Sequence, residues 1–97
     1  MKILWTRPAV ADVECIRNYI EPEDPNAAAR VVGRILTAVE LLEATPGIGR
    51  PGRVANTREL VLVDVPYIVA YRTVAGVVEV LRVLHTSRRW PRRLAPR

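Results

Sequence analysis

The sequence predicts an α+β domain, a β-α-α-β-β-β chain whose helical hairpin packs on one face of a small, mainly antiparallel sheet. Three observations carry this. Apolar residues between Ala9 and Leu42 recur at helical spacing. Residues 58–85 instead form dense β-branched runs separated by short turns. Those turns are too short for anything but antiparallel neighbours, so helices and strands segregate along the chain. With 97 residues there is material for one domain and one core of moderate size, spanning 1–97 with a basic tail at about 86–97.

Lys2 to Trp5 begins as a short strand. Thr6 is a candidate N-cap, with Pro8 in the first turn, where its missing N–H does no harm. Ala9, Val13, Ile16 and Ile20 step by four, three and four and define one helical face. Pro22 closes that helix near Tyr19–Glu21. Asp24 caps a second helix and Pro25 takes its first position. Ala28, Val31, Val32, Ile35, Val39 and Leu42 form its apolar stripe, which is expected to pack on a sheet.

Residues 45–53, TPGIGRPGR, read as a loop. Its glycines do not match a phosphate-binding loop, because no G-K-[S/T] follows and no strand feeds it. A structural turn is one reading; arginines 50 and 53 facing a ligand is the other. Residues 58–65 (RELVLVDV), Tyr67–Thr73 and Val77–Leu84 read as three strands. Pro66 breaks the first from the second, and Val74-Ala75-Gly76 forms the last turn, with Gly at a position suited to positive φ. In regular strands Arg72 shares a face with Ala70, and Arg82 with Val80 and Leu84. Both arginines are expected on the face away from the helices, near Glu59. His85 has the opposite parity to Arg82, so only a bulge near Leu84–Thr86 would bring the two together.

Composition excludes several classes. Cys15 is the sole cysteine, which rules out an internal disulfide and a cysteine metal site; it is expected as a small buried residue. His85 is the sole histidine, which rules out a histidine-based metal site in one chain. No run approaches the ~18–20 apolar residues of a membrane span, and the start is too short an apolar run for a signal peptide. A cytoplasmic protein without membrane association, metal or cofactor is expected. Residues 1–85 carry ten basic and ten acidic residues, so the net charge of +5 resides in Arg88, Arg89, Arg92, Arg93 and Arg97. Such a tail favours an acidic protein segment or a nucleic acid.

The segments GRPGR, TREL, PYIVAYR and VLRVLHTSRRWP, in this order and over nearly the whole chain, resemble the RelE/ParE superfamily of toxins from type II toxin–antitoxin modules. The resemblance implies a compact toxin held inactive by a cognate antitoxin. That antitoxin is expected to be ParD-like, with a DNA-binding part and an acidic C-terminal segment that wraps the toxin. The superfamily divides into RelE-like members, which cut mRNA on the ribosome, and ParE-like members, which inhibit DNA gyrase.

Metal-free RNA cleavage needs an acid, a base and cations for the phosphorane. Arg58, Arg72 and Arg82 are candidate cations, and His85 is the candidate acid or base. Against this, lysine is absent after Lys2 and no tyrosine follows Tyr71. TREL, PYIVAYR and the HTSRRWP ending resemble ParE-like members more closely, so gyrase inhibition is the expectation and the ribosome-dependent endonuclease its alternative. A former toxin that only binds its antitoxin is the third possibility. For a gyrase inhibitor the target-binding candidates are Arg82, His85, Arg88, Arg89 and Trp90. Each also has a structural reading: His85 as a hydrogen-bonded strand end, Trp90 as a cap on the sheet edge, Arg88 and Arg89 as solvated charges, and Arg58 as an ion-pair partner of Glu59.

Overall fold

The computed structural model describes residues 1–87. The chain runs β1 (Lys2–Trp5), α1 (Arg7–Ile20), α2 (Pro25–Ala44), a 3₁₀ turn (Pro46–Ile48), β2 (Arg50–Pro51), β3 (Arg58–Val61), β4 (Tyr67–Val74) and β5 (Val77–His85). One mixed sheet has the order β1-β5-β4-β3-β2. β1 lies parallel to β5, with Ile3 opposite Val78, and the other pairs are antiparallel. The α+β class and the order of helices and long strands follow the sequence. Among the described residues no helix is long and apolar enough to cross a membrane.

Both helix starts form as their caps dictate. The Asp24 carboxylate accepts from the Ala27 N–H at 3.0 Å, with Pro25 as the first helical residue. The Thr6 hydroxyl accepts from the Ala9 N–H at 3.4 Å and donates to the Val80 carbonyl at 2.7 Å. One buried side chain thus caps α1 and ties it to β5. The two helical stripes bury Ala9, Val13, Ile16, Val31, Ile35 and Val39 against Val69, Val80 and Val83 of the sheet. Ile35 is fully buried, so its truncation to Ala would cost about 2–5 kcal/mol.

Four expectations are corrected. Cys15 is exposed, because the face formed by Ala9, Val13 and Ile16 turns it to the far side of α1. The 45–53 loop contains a two-residue edge strand, in which Arg50 pairs with Glu59 and Pro51 with Arg58. Proline is tolerated there because nothing beyond that edge needs its N–H.

The strand read over 58–65 ends at Val61. The Leu62 N–H still reaches the Tyr67 carbonyl, but Asp64 then turns out to the Arg34 guanidinium at 2.8 Å. Pro66 has no N–H with which to extend the ladder.

The fourth correction concerns parity in β5. Ala70 lies opposite Arg82 and Tyr71 opposite Val80, so Leu81 has no partner and forms a bulge. After it the alternation shifts: Val83 joins Val80 in the core, and His85 falls on the helix face opposite Tyr67. The bulge sits at Leu81 rather than at Leu84–Thr86, and Arg82 and His85 remain on opposite faces.

Candidate functional site

The face of the sheet away from the helices carries the charged side chains. Its register sets Glu59 beside Ala70, Ala70 beside Arg82, and Arg72 beside Glu79. Arg72 and Arg82 therefore share that face, but only because the bulge at Leu81 frees Arg82 from the parity of Val80, and Ala70 stands between Glu59 and Arg82. Each arginine has its own anion. Arg72 pairs with Glu79 across the strands, a cross-strand contact of opposite charges. Arg82 makes a two-pronged contact with Asp12 of α1, at 2.7 and 2.9 Å. The Asp12 carboxylate holds the Arg82 proton more tightly than usual, against the opposing effect of burial.

Glu59 is nearly inaccessible to solvent, at 2%. It accepts from the Arg50 guanidinium at 3.0 Å, from the Arg53 guanidinium at 3.2 Å and from the Arg53 backbone N–H at 2.8 Å. Burial pushes its carboxyl up, but the Arg53 N–H and the two guanidinium groups together outweigh burial and leave it below the usual carboxylate range. Arg50 and Arg53, the loop candidates, are thus engaged in pinning the segment after the 3₁₀ turn to β3. The Arg58–Glu59 pair does not form, because successive strand residues point to opposite faces.

Arg58 instead donates to the Gly49 carbonyl at 2.7 Å, with a longer 3.5 Å contact to the Gly47 carbonyl. Tyr71 organises the same turn. Its hydroxyl donates to the Pro46 carbonyl at 2.6 Å and accepts from the Gly49 N–H at 2.9 Å. Burial pushes the phenol up; the Gly49 N–H and the Arg58 charge oppose this only in part. A Cβ on residue 49 would lie 2.6 Å from the Tyr71 oxygen, which is why glycine stands there.

His85 ends β5, opposite Tyr67. Its Nδ1 lies 3.1 Å from the Ser87 N–H and 2.9 Å from the Ser87 hydroxyl. Since the backbone N–H can only donate, Nδ1 is an acceptor and the neutral ring carries its proton on Nε2. The ring stands edge-on to Tyr67 at 5.4 Å. The four residues considered for RNA cleavage are therefore not brought together: Arg58 and Arg72 border one cleft, Arg82 lies against α1, and His85 lies on the helix face. Arg88, Arg89 and Trp90 lie outside the described residues. Among the described residues no cluster of three His, Cys, Asp or Glu could hold a metal ion.

Sequence reasoning missed Asp12 and Tyr71 as organising residues. Asp12 showed only as an acid early in a helix, and Tyr71 only as one of three tyrosines. Their partners lie 70 and 25 positions away, beyond the reach of local pattern.

Comparison with known proteins agrees with this fold. The protein Y4kP of Sinorhizobium fredii is 52% identical over 90 residues, covering 93% of both chains. The protein named Toxin RelE2 of Caulobacter vibrioides is 39% identical over 87 residues, covering 90% of this chain and 97% of its own. A solved structure described as the chromosomal ParDE TA system from P. aeruginosa superposes with a TM-score of 0.82 at 30% identity, over 90% of this chain and 97% of the other. The family model described as the ParE toxin of the type II toxin–antitoxin system parDE matches residues 3–90. The chain belongs to the ParE toxin family of type II toxin–antitoxin systems, within the RelE/ParE superfamily.

Proposed function

We propose that this toxin acts by binding DNA gyrase and holding it on cleaved DNA, and that a ParD-like antitoxin with an acidic C-terminal segment neutralises it. The observation that carries the reading is the fate of the candidate catalytic cations. Arg72 and Arg82 are each matched by a carboxylate, Arg58 is tied to carbonyls, and His85 lies on the opposite face from Arg82. Metal-free RNA cleavage needs its acid, base and cations around one phosphate. A dispersed set, with Arg72 and Arg82 matched by carboxylates and Arg58 engaged by carbonyls, supports action by binding, with the strand break belonging to gyrase. Family membership implies an antitoxin partner in either case.

The experiment is pulse labelling just after induction without antitoxin, with thymidine into DNA and methionine into protein followed in parallel. Thymidine uptake is expected to fail first. Purified gyrase with supercoiled plasmid should then yield linear DNA on denaturation. Early failure of methionine uptake would instead establish the ribosome as target and overturn the gyrase reading.

A further inference from the structure

Ser87 is the only serine of the chain and His85 its only histidine, and their side chains meet. Ser87 is exposed, and its oxygen lies 2.9 Å from the Nδ1 of His85. The backbone N–H of Ser87 donates to the same nitrogen at 3.1 Å, so Nδ1 is an acceptor and the hydroxyl must be a second donor to it. The pair is held from both sides. The Thr86 N–H bonds to the Pro66 carbonyl at 2.9 Å and fixes the backbone between the two residues, while Tyr67 stands edge-on to the imidazole. Other hydroxyls of the fold are used differently. Those of Thr6, Thr45, Thr57 and Tyr71 donate to backbone carbonyls, which do not take up a proton at neutral pH. The Ser87 hydroxyl is aimed at a base.

We propose that Ser87 is a covalent modification site, a nucleophile that accepts a phosphoryl group from an activated phosphate such as a phosphoric anhydride, with His85 as its base. An adjacent imidazole is what turns a weak hydroxyl into a nucleophile. In the step the Ser87 oxygen bonds to phosphorus. The bond from phosphorus to its leaving group breaks, and the electron pair goes to that group. The hydroxyl proton passes to Nδ1 and then to water. The neighbouring sequence favours a phosphoryl over an acyl group. Arg88 and Arg89 follow directly, and a phosphate ester suits guanidinium groups, whereas a neutral acyl ester offers them no charge. Phosphoserine adds about −1.5 to −2 charges at pH 7. That is a sizeable part of the net +5, delivered where the basic segment begins, so the modification weakens attraction to an acidic partner. The site is independent of whether gyrase or the ribosome is the target.

The test treats the full chain with diisopropyl fluorophosphate, a phosphorus electrophile that needs no kinase and loses fluoride. Intact mass and peptide mapping follow the adduct with time. Wild type should take up one adduct, on Ser87, and Ser87→Ala should take up none. His85→Phe keeps an aromatic ring against Tyr67 but removes the base, and should label more slowly by about 10²-fold. Wild type unfolded in urea provides the same serine without the geometry, and should lose the same advantage. A folded His85→Phe protein that labels as fast as wild type would overturn the proposal. So would equal labelling of folded and unfolded wild type, a result that does not depend on any variant folding. Adducts that form on tyrosine or threonine as fast as on Ser87 would also overturn it. p-Nitrophenyl acetate is run in parallel. If it modifies Ser87 and the fluorophosphate does not, the site takes acyl groups and the phosphoryl assignment fails.

Discussion

The Asp12 carboxylate grips Arg82 through both Nε and Nη2, at 2.7 and 2.9 Å, and also accepts the Val83 N–H at 2.9 Å. β1 pairs with β5 only from Val77 to Val80, so beyond that point the outer edge of β5 has lost its strand. Asp12 takes the place of the missing neighbour, nearly two turns along α1 from Thr6, which bonds to the Val80 carbonyl. A side chain from α1 thus continues the ladder where the bulge at Leu81 leaves it irregular.

Replacing Asp12 with Ala should therefore destabilise the protein more than replacing Arg82 with Met. The first change strands a guanidinium and a strand N–H together, while the second leaves Asp12 one backbone partner and partial access to water. A loss of about 2–3 kcal/mol is expected for Asp12→Ala. Urea unfolding of the two variants checks the order, and a larger loss for Arg82→Met would refute it.

Glu59 predicts an acid-sensitive component of stability. Its carboxyl is depressed in the folded state, so its contribution is complete above the ordinary value of 4.5 and disappears as pH falls through the lower folded value. Glu59→Gln should cost about 1–2 kcal/mol at neutral pH, a modest figure because Arg50 and Arg53 are half-exposed. The gap between wild type and variant should narrow as pH drops below 4.5. A gap that stays constant between neutral and acid pH would show that Glu59 contributes by shape alone.

Tyr71→Phe removes a hydroxyl that serves both the Pro46 carbonyl and the Gly49 N–H. About 1–3 kcal/mol should be lost, because the ring is wholly buried and water does not readily replace the bonds. Gly49→Ala should also destabilise, since the new methyl would collide with the phenol. Thermal melts of the two single variants test this; a Gly49→Ala protein as stable as wild type would mean that the turn yields freely.

The β4–β5 hairpin offers a stabilising change. Ala75 and Gly76 both have positive φ, 50° and 76°, the pattern of a two-residue type I′ turn. Alanine is strained there, whereas asparagine tolerates the left-handed region. Ala75→Asn should raise stability by about 0.5–1 kcal/mol, visible as a higher melting temperature with no change in toxicity. A lower melting temperature would contradict the turn assignment.

His85→Ala separates the two functional readings. The ring packs on Tyr67 and accepts from Ser87, so the variant should lose a little stability but keep its growth-arresting activity. Growth on induction without antitoxin is the measurement. Loss of toxicity in a folded His85→Ala protein would move the residue from scaffold to target contact or reaction, and loss of methionine uptake before thymidine uptake in the wild type would decide for reaction.

Local chemistry in the sequence determined most of the architecture. Thr6, Asp24 and Pro25 set the helix starts, the stripes from Ala9 to Leu42 set the buried faces, and the Ala75-Gly76 turn made β4 and β5 antiparallel neighbours. Each is a short-range signal, legible within a few residues. The common face of Arg72 and Arg82 is not such a signal: strict alternation groups Arg82 with Val80, which lies in the core, and only the bulge at Leu81 turns Arg82 to the open face.

The tertiary structure alone decided which charges meet. Asp12 found Arg82, Glu59 turned from Arg58 to Arg50 and Arg53, and Asp64 left its strand for Arg34. Ion pairs depend on distances of a few ångströms between segments far apart in sequence, and a flexible guanidinium has several anions within range. The bulge at Leu81 is decided the same way: nothing in the apolar run Val80-Leu81 marks the residue left without a partner. That one unmatched position turns Arg82 away from the core face that Val80 occupies and brings Val83 and His85 onto it.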